Sequence, residues 1–145
     1  MEYVVVTVIG AQKDVYGEEN RIESVNIGHY YRKNGIDYII YQDRELAEAA
    51  LDVTTMLKVY PDHVVLVRMG GLEQKQEFRL GEKSHSTYAT PFGTMQLAVL
   101  TKGMDVTFGV ASAAIDICYE LEVNGQWQSE NTLSINVREG QNCGH

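Results

Sequence analysis

Apolar and polar residues alternate along most of the chain between Tyr3 and Glu139, in strand-length pieces separated by Asn-Gly, Pro-Asp and other glycine-bearing turns. A period of two places successive side chains on opposite faces of a strand, so each piece has one largely apolar face. Many short strands joined by turn signals are typical of an antiparallel sandwich or barrel. The spacing of the strands is meander-like, and at this point it leaves a sandwich and a barrel open.

The clearest turn signal is Asn34-Gly35 in GHYYRKNGIDYIIYQD, because this pair favours the two positive φ angles of a type I′ hairpin turn. Counting outward from the turn gives five pairs: Lys33 with Ile36, Arg32 with Asp37, Tyr31 with Tyr38, Tyr30 with Ile39, and His29 with Ile40. One face then carries Ile27, His29, Tyr31, Ile36, Tyr38 and Ile40. We predict that this face points inward, because an Arg32–Asp37 ion pair suits a solvated face.

The segment VTTMLKVYPDHVVLVRM predicts a second hairpin around Pro61-Asp62. Either of the two turn lengths that fit gives the same register: Val59 opposite Val64, Leu57 opposite Leu66, and Thr55 opposite Arg68. This register places an arginine and a threonine on the same face as aliphatic side chains.

Further along, Pro91 separates two strands and Lys102-Gly103 indicates another turn. Apolar positions are even from Met104 to Val110 and odd from Ala113 to Val123, which predicts either a β-bulge near Gly109 or a sharp corner between two sheets. Asn124-Gly125 favours a tight hairpin, but strict pairing would put Leu133 on the wrong face. We therefore expect a longer loop across residues 126–131 or a second bulge.

One segment, DRELAEAALD at residues 43–52, has a helical pattern, with Asp43 able to cap the first turn. Its apolar side consists of Leu46, Ala47, Ala50 and Leu51. The segment predicts one short helix or flap over residues 44–52, and a poorly ordered excursion between strands is the alternative.

A chain of 145 residues is long enough for a single domain, 1–145, whose core needs neither disulfide nor metal, with residues 140–145 as a flexible tail. The net charge of -8, with no Lys/Arg run, disfavours nucleic acid as a partner. No apolar run approaches the roughly 18 residues that span a bilayer, which argues against a membrane. The start MEYVVVTVIGA lacks the features of a secretory signal, so we expect a cytoplasmic protein in which Cys118 and Cys143 are free thiols.

No complete catalytic or metal-binding motif interrupts the strands. The four histidines fall on separate elements without metal-ligand spacing, no G-x-S-x-G elbow occurs, and no strand-helix unit exists to hold a phosphate loop. The sequence therefore predicts no catalytic residues, no metal and no cofactor. His85, near Thr87 and Tyr88, is the position that an enzyme hypothesis would use, together with Arg68.

The strongest functional signal is the polar content of the predicted interior. A buried guanidinium is costly unless it is paired, so Arg68 needs a carboxylate, carbonyls, water or an anionic ligand. One interpretation is a ligand site in the barrel lumen; the other is an arginine that closes one barrel end by bonding backbone carbonyls. The candidate ligand-binding residues are Arg68, Thr55, Tyr31, Tyr38, Tyr119 and His29, although a histidine at such a position is more often a hydrogen-bonded core residue.

The segments GHYYRKNGIDYIIYQD, TTMLKVYPDHVVLVRMG, HSTYATPFGTMQLAVLT and ICYELEV, in this order, resemble the bacterial YwiB-like family of uncharacterised proteins. The resemblance covers nearly the whole chain. It implies an all-β fold, an antiparallel up-and-down calycin-like β-barrel of about eight to ten strands with one short helix or flap. Such a barrel is related in shape to lipocalins and fatty-acid-binding proteins, and the family has no established activity. Fold analogy by itself suggests a ligand by association and gives no mechanism.

Three hypotheses follow. The first is a non-enzymatic barrel that binds a small, partly apolar molecule with an acidic group near Arg68, with residues 44–52 gating the mouth. The second is a structural or protein-interaction barrel with a filled core, whose partner surface is a strand edge or an outer patch including Tyr30 and Tyr41. The third is an enzyme that uses His85, Tyr88 or Arg68.

Overall fold

A computed structural model of the chain describes residues 3–43 and 52–140. Its regular structure consists of ten strands: β1 (Tyr3–Asp14), β2 (Glu19–Lys33), β3 (Ile36–Gln42), β4 (Val53–Val59), β5 (Val64–Gly70), β6 (Gln74–Phe78), β7 (Lys83–Thr90), β8 (Gly93–Phe108), β9 (Ser112–Val123) and β10 (Gln126–Glu139). Within those described ranges there is no helix. The predicted helix or flap at 44–52 lies outside the described residues except for residue 52, and the predicted tail at 140–145 lies outside them except for residue 140.

The ten strands form one antiparallel sheet in the order β6-β5-β4-β3-β2-β1-β10-β9-β8-β7. Strands that follow each other in the chain lie side by side in the sheet, except for the two edge strands, β6 and β7. The first and last strands, β1 and β10, also pair with each other. The two edge strands approach each other, since Glu73 and Ala89 exchange backbone hydrogen bonds of 2.9 Å. The result is a nearly closed up-and-down barrel, which confirms the predicted fold class.

The registers of both predicted hairpins are confirmed. Asn34 and Gly35 have φ angles of 55° and 77°, as the type I′ turn requires, and Tyr31 pairs with Tyr38. In the second hairpin, Thr55 pairs with Arg68 across a loop closed by the Tyr60 N–H, which donates to the His63 carbonyl at 2.9 Å. The turn residues therefore fixed the strand alignment, as counting from the turns had indicated.

The predicted direction of the first hairpin is wrong. Ile27 is 73% exposed and Tyr31 is 43% exposed, whereas Ile39 and Tyr41 are buried on the opposite face. His29 is also exposed, and Tyr38 lies beside Tyr31 on the outside of the barrel. The face that we assigned to solvent is therefore the inner one.

A hydrogen bond explains the reversal. Arg32 pairs in register with Asp37, but it is Tyr30 whose hydroxyl donates to the Asp37 carboxylate. This bond allows Asp37 to be only 7% exposed, while Arg32, near the strand end, stays in solvent. Because both faces of the hairpin are apolar, our choice of the inner face rested on the Arg32–Asp37 pair, and that choice was wrong.

The predicted bulge near Gly109 is also wrong. The Gly109 N–H donates to the Ser112 carbonyl at 2.7 Å, and Phe108 pairs with Ala113, so these residues form a hairpin turn. The apolar positions change from even to odd numbers because even-numbered residues of β8 pair with odd-numbered residues of β9 across that turn. The bulge of this region lies earlier, between Thr101 and Gly103, where we expected a turn and where β8 instead continues.

The second of the two alternatives for the last hairpin is confirmed. Asn124 and Gly125 both have positive φ, and Val123 pairs directly with Gln126. A register shift between Trp127 and Ser129 then returns the apolar residues of β10 to the inner face.

The barrel interior differs between its two ends. The end that contains the turns at 34–35, 60–63, 79–82 and 109–111, here called the packed end, is filled by aliphatic side chains. The main members of this core are Val4, Val6, Ile39, Leu57, Val59, Val64, Ile115, Ile117, Ile135 and Val137. At this end the Gly140 N–H donates to the Tyr3 carbonyl at 2.8 Å, which ties the ends of β10 and β1 together.

Candidate functional site

The opposite end of the barrel, here called the cavity end, contains the turns at 15–18, 71–73, 91–92 and 124–125. Its interior has a cavity of about 530 Å³, here called the lumen cavity, which is within the range of small-molecule sites. Apolar walls come from Leu66, Phe78, Leu97, Val99, Leu121 and Leu133, and polar groups come from Asp43, Arg68, Gln74, Gln76, Tyr88, Tyr119 and Asn131. The inner surface is therefore amphipathic.

Arg68 is the central polar group of this cavity. The β4–β5 register places it opposite Thr55 on the inner face, above Leu66 and Leu57. Its Nε atom is buried and has no hydrogen-bond partner among the described residues. None of the ion pairs formed by these residues includes Arg68. A guanidinium in this position has donors that a bound acceptor would satisfy.

The charge of Arg68 acts on two tyrosines of the interior, the buried Tyr41 and the half-buried Tyr119. Burial raises the pKa of Tyr41 to about 12, and the nearby Arg68 charge and a Thr55 hydrogen bond oppose that shift. Burial also raises the pKa of Tyr119, again against the effect of Arg68. Both phenols are therefore neutral at neutral pH, so each keeps a hydroxyl that can donate or accept a hydrogen bond.

The charge of the cavity is balanced. Among the described lining residues, Arg68 is the cation and Asp43, at the end of β3, is the anion. The Asp43 carboxylate raises the pKa of Tyr41, so it acts on the same part of the interior. The single cation can pair with one acidic group of a ligand, and the nearby Asp43 carboxylate disfavours a second negative charge on it.

A second polar contact closes the wall of the cavity. Ser86 on β7 donates from its hydroxyl to the Gln76 Oε1 on β6 at 2.7 Å, and both side chains are buried. This bond joins the two edge strands inside the barrel, where the described residues have only the Glu73–Ala89 backbone pair between β6 and β7. The Gln76–Ser86 contact therefore seals the seam of the barrel from within.

The structure brings together half of the predicted ligand-binding residues. Arg68, Thr55 and Tyr119 lie inside the barrel, as predicted. The other three, His29, Tyr31 and Tyr38, lie on its outer surface, so their predicted placement in the lumen is wrong for the reason given for the first hairpin.

Sequence reasoning missed Tyr41, which fills the place that we had assigned to Tyr31 and Tyr38. A signal was present in Gly28, which pairs with Tyr41. A glycine within a strand often marks the close approach of another chain segment, and here it leaves room for the buried ring. The residues of the enzyme hypothesis are separated: Tyr88 lines the cavity, whereas His85 is exposed on the outer face of β7.

A larger depression of about 640 Å³ runs along β1, β2, β8, β9 and β10 and includes outward-facing residues. Its rim mixes Lys13, Arg21 and Lys102 with Glu120 and Glu130. Lys102 pairs with Glu120 at 3.2 Å, so part of this charge is already neutralised. The depression has no buried, unpartnered group, and the lumen cavity is the better candidate.

Two further properties concern the described residues. Within 3–43 and 52–140, no group of three or more His, Cys, Asp or Glu side chains could hold a metal ion. Over the same residues there is no helix whose length and apolar character would let it cross a membrane.

The fold and its interior define a ten-stranded antiparallel β-barrel with one packed end and one amphipathic cavity. Residues 6–135 match the family described as "Domain of unknown function (DUF1934)", and the chain belongs to this family. It is 26% identical over 125 residues to the uncharacterized beta-barrel protein YwiB of Bacillus subtilis (strain 168), covering 86% of this chain and 85% of YwiB. The crystal structure of the Bacillus subtilis ywiB protein has a TM-score of 0.85 and 25% identity, over 96% of this chain and 92% of that one. The resemblance to a YwiB-like family is confirmed.

Proposed function

We propose that this barrel binds a small, partly apolar molecule with a single acidic group, and that the acidic group pairs with Arg68. The observation that carries the proposal is the buried Nε of Arg68, which has no partner among the described residues although it adjoins a cavity of about 530 Å³. Leaving such a buried donor without a hydrogen bond costs free energy, and an anionic oxygen would satisfy it with a charge-assisted hydrogen bond.

The surroundings of Arg68 support a carboxylate-sized group. The hydroxyls of Tyr41 and Tyr119 lie close enough to Arg68 to feel its charge, and both are neutral donors at neutral pH. The aliphatic walls around Leu66 and Leu97 would bury the rest of the molecule. A cytoplasmic location, and gating of the mouth by residues 44–52, stay predictions.

Paired acids and alcohols test this proposal directly. Isothermal titration calorimetry would compare octanoate with octanol, and 3-phenylpropionate with 3-phenylpropanol, so that each pair differs at the acidic group. We expect at least one acid to bind at least about tenfold more tightly than its alcohol, which corresponds to about 1.4 kcal/mol.

The variant Arg68→Met should remove the preference for the acid while keeping a side chain of similar length. Arg79→Met is the matched control, because Arg79 is an arginine outside the lumen that pairs with Glu77 and Asp62. If neither acid binds, if acids and alcohols bind equally, or if the two variants behave alike, the proposal is wrong.

A further inference from the structure

The outside of the barrel has a second feature that the lumen does not explain. Here the outer patch denotes six side chains on the outer faces of β1, β2 and β3: Tyr3, Ile27, His29, Tyr31, Tyr38 and Ile40. The register makes them neighbours, since Tyr3 pairs with His29, His29 with Ile40, and Tyr31 with Tyr38. The Tyr31 and Tyr38 rings are stacked with centroids 4.7 Å apart, and those of Tyr3 and His29 are 4.9 Å apart.

Half of the members of the outer patch are largely exposed, and Tyr38 and Ile40 are half-buried. Ile27 is 73% exposed, Tyr3 is 55% exposed and Tyr31 is 43% exposed. Single exposed apolar residues are normal on a protein surface, whereas these six side chains are contiguous and form one apolar surface on which apolar side chains of another molecule can pack.

The charges around the outer patch are positive, although the chain as a whole has a net charge of -8. Lys33 follows Tyr31 on the same face of β2, Lys58 pairs with Tyr38, and Arg138 pairs with Val5 next to Ile27. None of these three bases forms an ion pair with a described residue.

On the described part of this surface that β2, β3 and β4 form, no acidic side chain faces outward between Val25 and Lys33 or along β3 and β4. Between Val25 and Lys33, and through β3 and β4, the only carboxylate is Asp37, which points inward and is buried. An apolar surface with unpaired cations and no anion is complementary to an apolar group that has carboxylates beside it.

From this arrangement we infer that the outer patch is a docking surface for a short acidic peptide segment of another protein, one that presents aliphatic or aromatic side chains between Asp and Glu residues. The apolar side chains of the segment pack on the Ile27 and tyrosine surface, and its carboxylates pair with Lys33, Lys58 and Arg138. The peptide site is independent of Arg68 and of the lumen.

Size and charge argue against a second copy of this chain. With strands about 4.8 Å apart and side chains of one face repeating at about 7 Å, the outer patch covers roughly 200 to 300 Å². A stable protein pair buries about 800 Å² on each partner. In a two-fold dimer through this face, the basic surface formed by Lys33, Lys58 and Arg138 would face the same basic surface of the other copy, and like charges would repel.

Charge also argues against a nucleic acid. A strand of RNA or DNA continues its phosphate charges past the three bases, where it meets a chain that has 20 acidic residues in total. A short peptide ends within the basic area and avoids that repulsion. The peptide is therefore the occupant that the surface fits best.

Fluorescence anisotropy with a labelled synthetic peptide, in which Glu and Asp flank Leu and Phe, tests the inference on the whole chain. A control peptide replaces every Glu by Gln and every Asp by Asn. We expect the acidic peptide to bind, to weaken as salt is added, and to bind at least about tenfold more tightly than the neutral control. Amide chemical shifts should change on the outer faces of β1 to β4.

A double charge reversal, Lys58→Glu with Arg138→Glu, should weaken binding by about tenfold or more. The matched control is Lys13→Glu with Lys75→Glu, which makes the same change of net charge at two exposed bases away from the outer patch, on β1 and β6. Tyr31→Ser should weaken binding without changing the charge.

Several results would overturn the inference. They are equal binding of the two peptides, equal effects of the two double variants, or changes of amide chemical shift that are confined to the lumen residues. Tighter binding to oligouridylate or to anionic vesicles than to the acidic peptide would assign the surface to another partner. A dimer in sedimentation velocity that Ile27→Ser dissociates would assign it to a second copy of this chain.

Discussion

Gly28 on β2 lies close against β3, and its replacement by alanine gives a sharp test of the packing around Tyr41. A Cβ atom at this position would be 2.3 Å from the Ile40 carbonyl oxygen and 3.0 Å from the Tyr41 Cβ. An ordinary contact begins at 3.4 Å, so β2 and β3 would have to separate by about 1 Å. Both obstacles are close to the main chain and cannot rotate away.

The expected cost follows from what that separation breaks. Losing two ladder hydrogen bonds costs about 1 kcal/mol each, and loosening the packing under Tyr41 adds about 1 to 2 kcal/mol. We therefore expect Gly28→Ala to lower the free energy of unfolding by about 3 kcal/mol, a large part of the roughly 5 to 15 kcal/mol of a typical domain. The melting temperature should fall by about 10 °C.

Gly10→Ala is the matched control. Gly10 also lies within a strand and also has no positive φ, but a Cβ there would meet nothing within 4 Å. Alanine at this site should leave stability unchanged or raise it by up to about 1 kcal/mol, because it restricts the unfolded chain. Urea unfolding followed by the fluorescence of Trp127 and by circular dichroism measures both variants. A difference between them of less than about 0.5 kcal/mol would refute the close approach of β2 and β3.

Two further predictions concern the interior. The pKa of Tyr41, raised to about 12, lies above the ordinary value of 10.0, so the folded state holds this proton more tightly than the unfolded state does. The resulting stability should be complete below about pH 10 and lost as the pH rises toward 12, and Tyr41→Phe should reduce that loss when unfolding is measured across this range. Ser86→Ala should leave the buried Gln76 Oε1 without its 2.7 Å donor, lower the free energy of unfolding by about 1 to 2 kcal/mol, and speed hydrogen exchange of the β6 amides. Ser84→Ala, at a half-buried serine of the same strand, should change the exchange of those amides little, and equal effects of the two variants would contradict a seam held by Gln76 and Ser86.

Turn chemistry explains why the fold could be predicted from the sequence. Asn34-Gly35 and Asn124-Gly125 each adopt the positive φ angles that this dipeptide favours, and each fixes the pairing of its two strands. Local residues decide such turns, so no knowledge of the rest of the molecule was needed. The bulge after Trp127 could be predicted because, without it, Leu133 would have faced the wrong way.

The direction of a strand face depends on contacts that are distant in sequence, and there the prediction failed. The hairpin of β2 and β3 is apolar on both sides, and the choice between the sides rested on Asp37. Its carboxylate is buried because the Tyr30 hydroxyl donates to it, a partner that the pattern of charges does not reveal. The error exchanged Tyr31 and Tyr38, predicted inside, for Tyr30 and Tyr41, predicted on an outer patch.

Arg68 was placed correctly although this hairpin, too, is apolar on both faces, because the aliphatic residues on its own face are the ones that the barrel buries. Its register sets Arg68 opposite Thr55, on a face that also includes Val59, Leu57 and Leu66. The sequence showed the need for a partner, and the structure adds the cavity beside it. The sequence could not show that Gln76 and Ser86 form a pair, because these residues meet only when the barrel closes.

The hydrogen bond between Gly140 and Tyr3 has a practical consequence for anyone who handles this molecule. Both residues lie at the packed end of the barrel. An affinity tag, a fluorescent fusion or a biosensor linker joined beyond either residue is therefore attached at the end opposite the lumen cavity. Immobilisation through either attachment point should therefore leave the rim accessible to small molecules in solution.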